Sequence, residues 1–466
     1  MNKKPIKFLP QSSSALLNSK YIALKITLCL IIFAMSITFF PHVKVKAYTP
    51  PDALRVGIIY NSVSSNPITF SAPGGVTIYD STGAQTYQTN NSVNITMQKS
   101  ALGGVDAVID GSIVASGVTD LTFTPNSNFL ALSGISYRGS FIVNRLSTDG
   151  FNVINKVNIN DYVQGVVAKE IGASSPTEAL KAQAVCARNY GAAHLNKHSK
   201  YGFDVCNTTD CQVYGGINTE TPAIIDAVQA TSNVYALYNG ALADLVFSSS
   251  TGGYTEDAQY VWGGDVPYLK PVDSLYEDKN KSYYNWTYEI TPAEATTKLS
   301  KYGLGNITDI QIIAATPRNV TTQLKVIGDA GEKVFKLEAC RTLFGTGLKS
   351  QAYTLTKEGG TTTTPSQIMA IDKDYETQAV PSNPSIITSN GTQPLTESVI
   401  AVITKDGTQS IPGVSTPTTS GVTKFVFNGR GFGHLVGLSQ EGAIGMAKAG
   451  FSYQDILKHF YTGITL

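Results

Sequence analysis

The strongest constraint in this chain is a change of period between residues 157 and 158. From Leu54 to Val157, short apolar runs alternate with Gly, Asn and Ser turns; examples are LRVGIIY (54–60), GVTIYDSTG (75–83) and DAVIDGSIVASG (106–117). Two-residue alternation and β-branched side chains predict strands and hairpins there. From Asn158 the apolar residues fall three and four apart. Asn160 and Asp161 are placed to cap a helix through Tyr162, Val163, Val166 and Val167 to Glu170. Ser175-Pro176-Thr177-Glu178 then reads as a capping box with Pro at the first helical position. The Ala-rich helix that follows, ALKAQAVCARNYGAAHLNKH, has small residues on its inner face and is expected to be central and buried. The expected fold class is α+β, with a β-rich N-terminal region packed on an α/β catalytic region.

Boundaries follow the same changes of texture. Residues 1–47 contain seven Lys and no acid, so the rest of a chain whose formal net charge is +1 is acidic on balance. Inside them Ile26–Phe40 runs 15 residues without a charge, which is short for a membrane span at about 1.5 Å per helical residue. With Val45-Lys46-Ala47 as a cleavage region, 1–47 reads as a secretory signal peptide; a retained N-terminal anchor is the alternative. Membrane contact would then pass only through this segment, and the protein is expected outside the cell or on its wall. The other segments are a β-rich region (48–157), a first core part (158–350), an insertion or decorated loop (351–421) and a closing core part (422–466). The insertion carries Thr- and Pro-rich linkers, yet SVIAVITKDG (398–407) reads as a strand with a turn. In the closing part Ser452-x-x-Asp455 starts the last helix. The near-zero charge excludes a nucleic-acid binder, which needs a basic surplus.

Chemistry concentrates in three blocks: 159–190 (INDYVQGVVAKEIGASSPTEALKAQAVCARNY), 247–269 (FSSSTGGYTEDAQYVWGGDVPYL) and 429–443 (GRGFGHLVGLSQEGA). Cys206 and Cys211 sit in a loop, DVCNTTDCQVYGG, where an oxidising compartment favours a disulfide over a zinc site using His198 and Asp210. Cys186, among Ala and Val in mid-helix, reads as an inert core thiol. His194 and His198 lie four apart without an acid in an H-E-x-x-H frame and read as solvated. The tract Ser249, Ser250, Thr251, Gly252 and Gly253 offers hydroxyls and amides suited to a sugar surface. Its bland alternative is a turn that satisfies its own backbone. Gly429-x-Gly431-x-Gly433-His434 lacks the third glycine and the βαβ context of a dinucleotide fingerprint. Glycines before a helix N-terminus instead suit close approach of an anion, and His434 and Gln440 would line that cleft.

The three blocks, in this order and with a closing Tyr453–Gly463 segment, resemble the SpoIID/LytB family of exported bacterial cell-wall proteins from about Leu54 to Leu466. The resemblance implies peptidoglycan chemistry. SpoIID-type members are lytic transglycosylases acting on peptide-stripped glycan strands in sporulation; LytB-type members are described as enhancers of a cell-wall amidase. Glu170, in Ala168-Lys169-Glu170-Ile171, occupies the position of the family's catalytic glutamate. One carboxyl suffices when the sugar's own C6 hydroxyl attacks, because the group is first acid and then base. Its apolar neighbours Val166, Val167 and Ile171 would help it keep a proton. A muramic-acid carboxylate is the anion the glycine turn would take. Glu256 is the runner-up acid, and Arg188 a candidate for steadying substrate. No cofactor is required on this reading. Where the family often has a zinc-paired His, this chain has Cys211, which favours the disulfide. The expected partners are glycan strands and possibly a wall amidase.

Overall fold

In the computed structural model the described residues are 48–60, 67–145, 150–359 and 421–466, with short stretches of backbone between 360 and 420. The expected signal segment, 1–47, lies outside them. Two antiparallel-rich sheets make the N-terminal part. The first runs in the spatial order Val205–Cys206, Ala53–Ile59, Phe151–Asn158, Ser140–Arg145, Asp120–Pro125, Val76–Asp80, Gln85–Thr89. The second runs Ile135–Tyr137, Leu130–Leu132, Ile68–Ala72, Val93–Lys99, Val105–Ile109, Ser112–Val118. They face each other through Phe70 of the second sheet, whose ring lies 5.5 Å from Phe123 and 5.1 Å from Phe141 of the first. All three rings are fully buried, which is the apolar face that the alternation predicts.

Strand Phe151–Asn158 runs without a loop into helix α1 (Ile159–Glu170). Asn158 makes the joint: its side chain accepts from the Asn160 N–H at 2.9 Å, so the cap sits two residues before the expected one. Helix α2 (Thr177–Ala193) packs against α1 and is buried along most of its length, as its alanines predict. Its start differs from expectation. Pro176 is the cap and contributes no side-chain bond, while the Ser175 hydroxyl donates back to the Ile171 carbonyl at 2.8 Å. Glu178 instead accepts from the Tyr453 N–H at 2.8 Å and from Lys181. The remaining α-helices among the described residues are α3 (Pro222–Ala230), α4 (Ala258–Trp262), α5 (Pro292–Leu299), α6 (Ala339–Thr342), α7 (Gln440–Lys448) and α8 (Tyr453–Phe460). Ser452 and Asp455 form the expected capping box on α8. Among the described residues no helix is long and apolar enough to cross a membrane.

A core of α2, α7, α8 and the apolar residues of 236–269 forms the α/β centre, and Cys186 is fully buried in it. A separate core forms beside it around Trp286, Phe335, Phe344 and Phe427. There Lys424–Arg430 pairs on one edge with Asn285–Ile290 and on the other with Tyr353–Glu358. Residues 353–358, inside the expected insertion or decorated loop (351–421), are therefore part of this sheet. Beyond them the backbone forms three hairpins, one of them Ala401–Thr404 with Gly407–Ser410, where a strand and turn are expected.

The second and third blocks are stitched together. Phe247–Ser248 pairs in parallel with Leu438–Ser439, and Ser250 bridges Phe432. Behind this seam lies Glu277, whose carboxylate is 5% exposed. It accepts five hydrogen bonds, from the Ser250 hydroxyl (2.5 Å), the Thr251 N–H and hydroxyl (3.0 and 2.5 Å), the Gly252 N–H (3.1 Å) and the Ser439 hydroxyl (2.8 Å). A carboxylate removed from water needs this full complement of donors. Replacing it strands all of them in a dry place. Glu277→Ala is expected to cost about 3–5 kcal/mol of stability, with Glu277→Gln costing less, read by urea denaturation; a loss below about 1 kcal/mol would contradict the knot's role.

Candidate functional site

Glu170 closes α1, half-buried, where the helix meets the loop that returns from Cys206. That loop lies hard against α1. A side chain at Gly165 would meet the Tyr214 ring at 2.6 Å, and the Gly215 N–H donates to the Gly165 carbonyl at 3.1 Å. Tyr162 donates to Gln212 and Tyr214 to Asn155, both at 3.1 Å, so buried hydroxyls anchor the loop. In consequence the Val213 N–H points at Glu170 and donates to Oε1 at 2.9 Å. The Gln440 side chain, at the first position of α7, also favours the ionised form of Glu170, and its amide lies 3.4 Å from the side-chain oxygen of Gln183 on α2. Burial pushes the Glu170 carboxyl above its ordinary range, and these two donors only partly oppose it.

Glu170 lines a cleft of about 710 Å³ together with Tyr190, Asp244, Trp262, Tyr268 and His434, within the roughly 300–1,000 Å³ typical of small-ligand sites. The cleft therefore brings together Glu170 and His434 of the predicted set, with Gln440 behind the carboxyl. His434 has both nitrogens engaged. The Val436 N–H donates to Nδ1 at 3.1 Å, so Nε2 carries the proton and donates to the Phe247 carbonyl at 2.8 Å. Burial pushes its pKa down to about 4, leaving a neutral imidazole that holds a turn.

Other expected contacts lie elsewhere. Arg188 is fully buried between helices, donating to Asn160 at 3.1 Å and to the Val228 carbonyl at 3.3 Å; it braces the core and does not reach the cleft. Ser250, Thr251 and Gly252 are bound to Glu277, and the Ser249 carbonyl accepts from the Glu441 N–H at 3.1 Å. Gly253, in a left-handed turn, uses its carbonyl on Ser274. Ser250, Thr251 and Gly252 thus spend their donors on a distant carboxylate, neither on their own backbone nor toward the cleft. Glu256 is 2% exposed and accepts from Thr316 at 2.8 Å and from the Asp257 N–H at 3.0 Å, so the runner-up acid is sealed off. The glycines of the third block serve the seam. A side chain at Gly433 would stand 2.5 Å from Ser248, and one at Gly431 would stand 2.8 Å from the Ser250 carbonyl oxygen. The first N–H groups of α7 are taken by Ser249 and by the Ser439 hydroxyl, which removes the expected anion site.

The cysteine loop also departs from expectation. Cys206 and Cys211 are free thiols. One donor atom from each of His198, Cys206, Asp210 and Cys211 lies within 4.8 Å of all the others. His198 Nε2 is 3.3 Å from the Cys211 sulfur and 3.3 Å from Asp210 Oδ2. The neighbouring Cys211 side chain holds the Cys206 thiol far below its usual range. His198 belongs to this cluster, and its solvated reading does not hold. Nor is His194 solvated. It stacks on Tyr190 at 4.0 Å, its Nδ1 faces the Tyr190 carbonyl at 2.9 Å, and its Nε2 faces Asp244 Oδ2 at 3.5 Å. With a carbonyl as its partner, Nδ1 is the donor. Burial raises the Asp244 carboxyl, and no sequence motif marks it.

The model of the SpoIID family, described as stage II sporulation protein, matches residues 147–238. An uncharacterized protein of Brachyspira hyodysenteriae is 30% identical over 336 residues, covering 72% of this chain and 73% of that one. The chain belongs to the SpoIID/LytB family. Two Bacillus subtilis relatives extend the likeness. Its stage II sporulation protein D is 28% identical over 66% of this chain and 74% of its own length. Its amidase enhancer is 31% identical over 69% of this chain but only 45% of its own length. The stretch matched to SpoIID holds Glu170, the cysteine loop and His194.

The raised Glu170 carboxyl has a stability consequence. The native protein keeps a proton that the unfolded chain releases, so stability falls as pH rises from the ordinary carboxylate value through the raised one. Glu170→Gln removes that loss. Urea denaturation across pH 4–8 is expected to show the variant gaining on the wild type as pH rises and then levelling off; a pH-independent difference would contradict the raised pKa.

Proposed function

We propose that this chain is an exported wall protein that cleaves peptide-stripped glycan strands of peptidoglycan by lytic transglycosylation, with Glu170 as the acid/base. The supporting observation is a carboxyl whose hold on its proton burial strengthens, presented in a cleft and oriented by the Val213 N–H. With Oε1 occupied by Val213, the proton belongs on Oε2. It passes to the glycosidic oxygen as the C1–O bond breaks. The sugar's C6 hydroxyl closes onto C1, and its proton returns to the Glu170 carboxylate, restoring the acid. Export rests on the Lys-rich start and the apolar run at 26–40. The relatives named for stage II sporulation support a role in sporulation.

A second reading rests on the relative named amidase enhancer: a protein that binds wall glycan and assists an amidase without cutting. Product analysis separates the two. Mass spectrometry of purified peptide-free glycan after incubation is expected to show 1,6-anhydro ends. Glu170→Gln should lower their release by about 10²–10⁴-fold or more. Reducing ends would indicate a hydrolase, and intact strands would favour the enhancer.

We also propose that His198, Cys206, Asp210 and Cys211 hold a zinc-like ion. Two thiols, an imidazole and a carboxylate are the donor types zinc takes, and four protein ligands make a closed, structural site. Such an ion would act as a cross-link; the residues themselves keep the loop in place to deliver the Val213 N–H. Metal analysis is expected to give about one ion per chain, and a chelator to lower the melting temperature and release the thiols. An intact Cys206–Cys211 disulfide with no bound metal would overturn this.

A further inference from the structure

We propose that Trp262 is a sugar-stacking platform, a subsite that takes one ring of a glycan strand on its exposed face. The inference rests on the glycan reading above and adds a residue that reading does not use. The chain has two Trp. Trp286 is 6% exposed and donates its indole N–H to the Gly431 carbonyl at 2.8 Å, an ordinary core arrangement. Trp262 is 39% exposed and lines the same cleft as Glu170. What sets it apart from the other exposed aromatic rings is its place in the cleft that holds Glu170.

The ring is held ready. Trp262 is the last residue of α4, and Gly263, at φ +87°, turns the chain away immediately after it. Its indole N–H donates to Glu338 Oε2 at 3.2 Å; the other oxygen of Glu338 accepts from Arg341 at 2.5 Å, and the Glu338 N–H donates to the Val261 carbonyl at 3.1 Å. The His434 ring stands 4.9 Å away, tilted by 52°. Because both His434 nitrogens are committed to backbone groups, that side chain contributes a fixed ring and no proton. His434 and Glu338 are therefore positioning residues for the indole. A platform ordered during folding loses little freedom when a ligand arrives.

The occupant is fixed by the mixture around it. A pyranose presents a face of C–H bonds to an aromatic ring and a rim of hydroxyls to polar groups. Here the indole face is accompanied by Glu170, Asp244, Gln212 and the Tyr268 ring in one cleft. An aliphatic ligand would leave those polar groups dry and unpaired.

The test is calorimetric titration of peptide-free glycan strands into Glu170→Gln full-length protein, which does not consume the ligand. Adding Trp262→Ala is expected to weaken binding about ten-fold, while Trp262→Phe stays within about three-fold. Glu338→Ala should weaken it in part and lower the anisotropy of Trp262 emission, measured with Trp286→Phe; Glu338→Gln, which keeps an acceptor, should restore both. Unchanged affinity in folded Trp262→Ala overturns the platform alone. No binding by Glu170→Gln itself overturns the glycan reading, and the platform with it.

Discussion

A carboxyl group drawn partly out of water at the end of one helix, and met by polar groups from two distant segments, is what this structure is arranged around. Glu170 sits on α1, Val213 arrives on the cysteine loop, and Gln440 opens α7. Burial alone would drive such a group to neutrality, and hydrogen bonding alone would keep it ionised. Here burial is the larger effect, but the donors restrict the carboxyl to one orientation. An acid with a fixed direction is more useful to a bond that must break in a single geometry than a stronger acid that rotates.

The supports of this carboxyl are themselves polar and buried. Glu277 gathers the Ser/Thr/Gly tract and Ser439 into one knot and so sets where α7 begins. Tyr162 and Tyr214 hold the loop that carries Val213, and the four donors of the His198–Cys211 cluster close its far end. Glu277, Tyr162 and Tyr214 lie outside the cleft, Asp210 and Cys211 stand on its wall, and each fixes a segment that reaches Glu170. The third block's glycines belong to the same class, since they let two backbones pass where any side chain would collide.

Much of the framework was legible in the residues. The change of period at Asn158, the burial implied by Ala179–Ala192 and the Ser452 cap all correspond to features of the fold, because each is local and periodic. Glu170 was reached through motif resemblance; its apolar neighbours gave only support. What was illegible depends on long-range partners. Hydroxyls at 250 and 251 look the same whether they face a sugar or a carboxylate 25 or so residues later, and nothing near Glu277 announces it. Arg188 carries a charge into a helical core, where residue type suggests the opposite. The thiols at 206 and 211 and their neighbours His198 and Asp210 were all visible in the sequence, but the choice between a disulfide and a four-residue cluster depends on the turn that begins at Ser199. Trp262 lay inside a noted block, but only its exposure in the cleft distinguishes it from a core tryptophan.

The central claim concerns one proton, and it can be followed at its own atom. Protein labelled with ¹³C at glutamate side-chain carboxyls, compared with Glu170→Gln to assign the resonance, reports the titration of this group directly. A midpoint clearly above the ordinary glutamate range, with a carboxylic-acid shift persisting as the exposed glutamates ionise, is the predicted result. A midpoint at or below that range would mean that Val213 and Gln440 outweigh burial, and Glu170 could not serve as the acid.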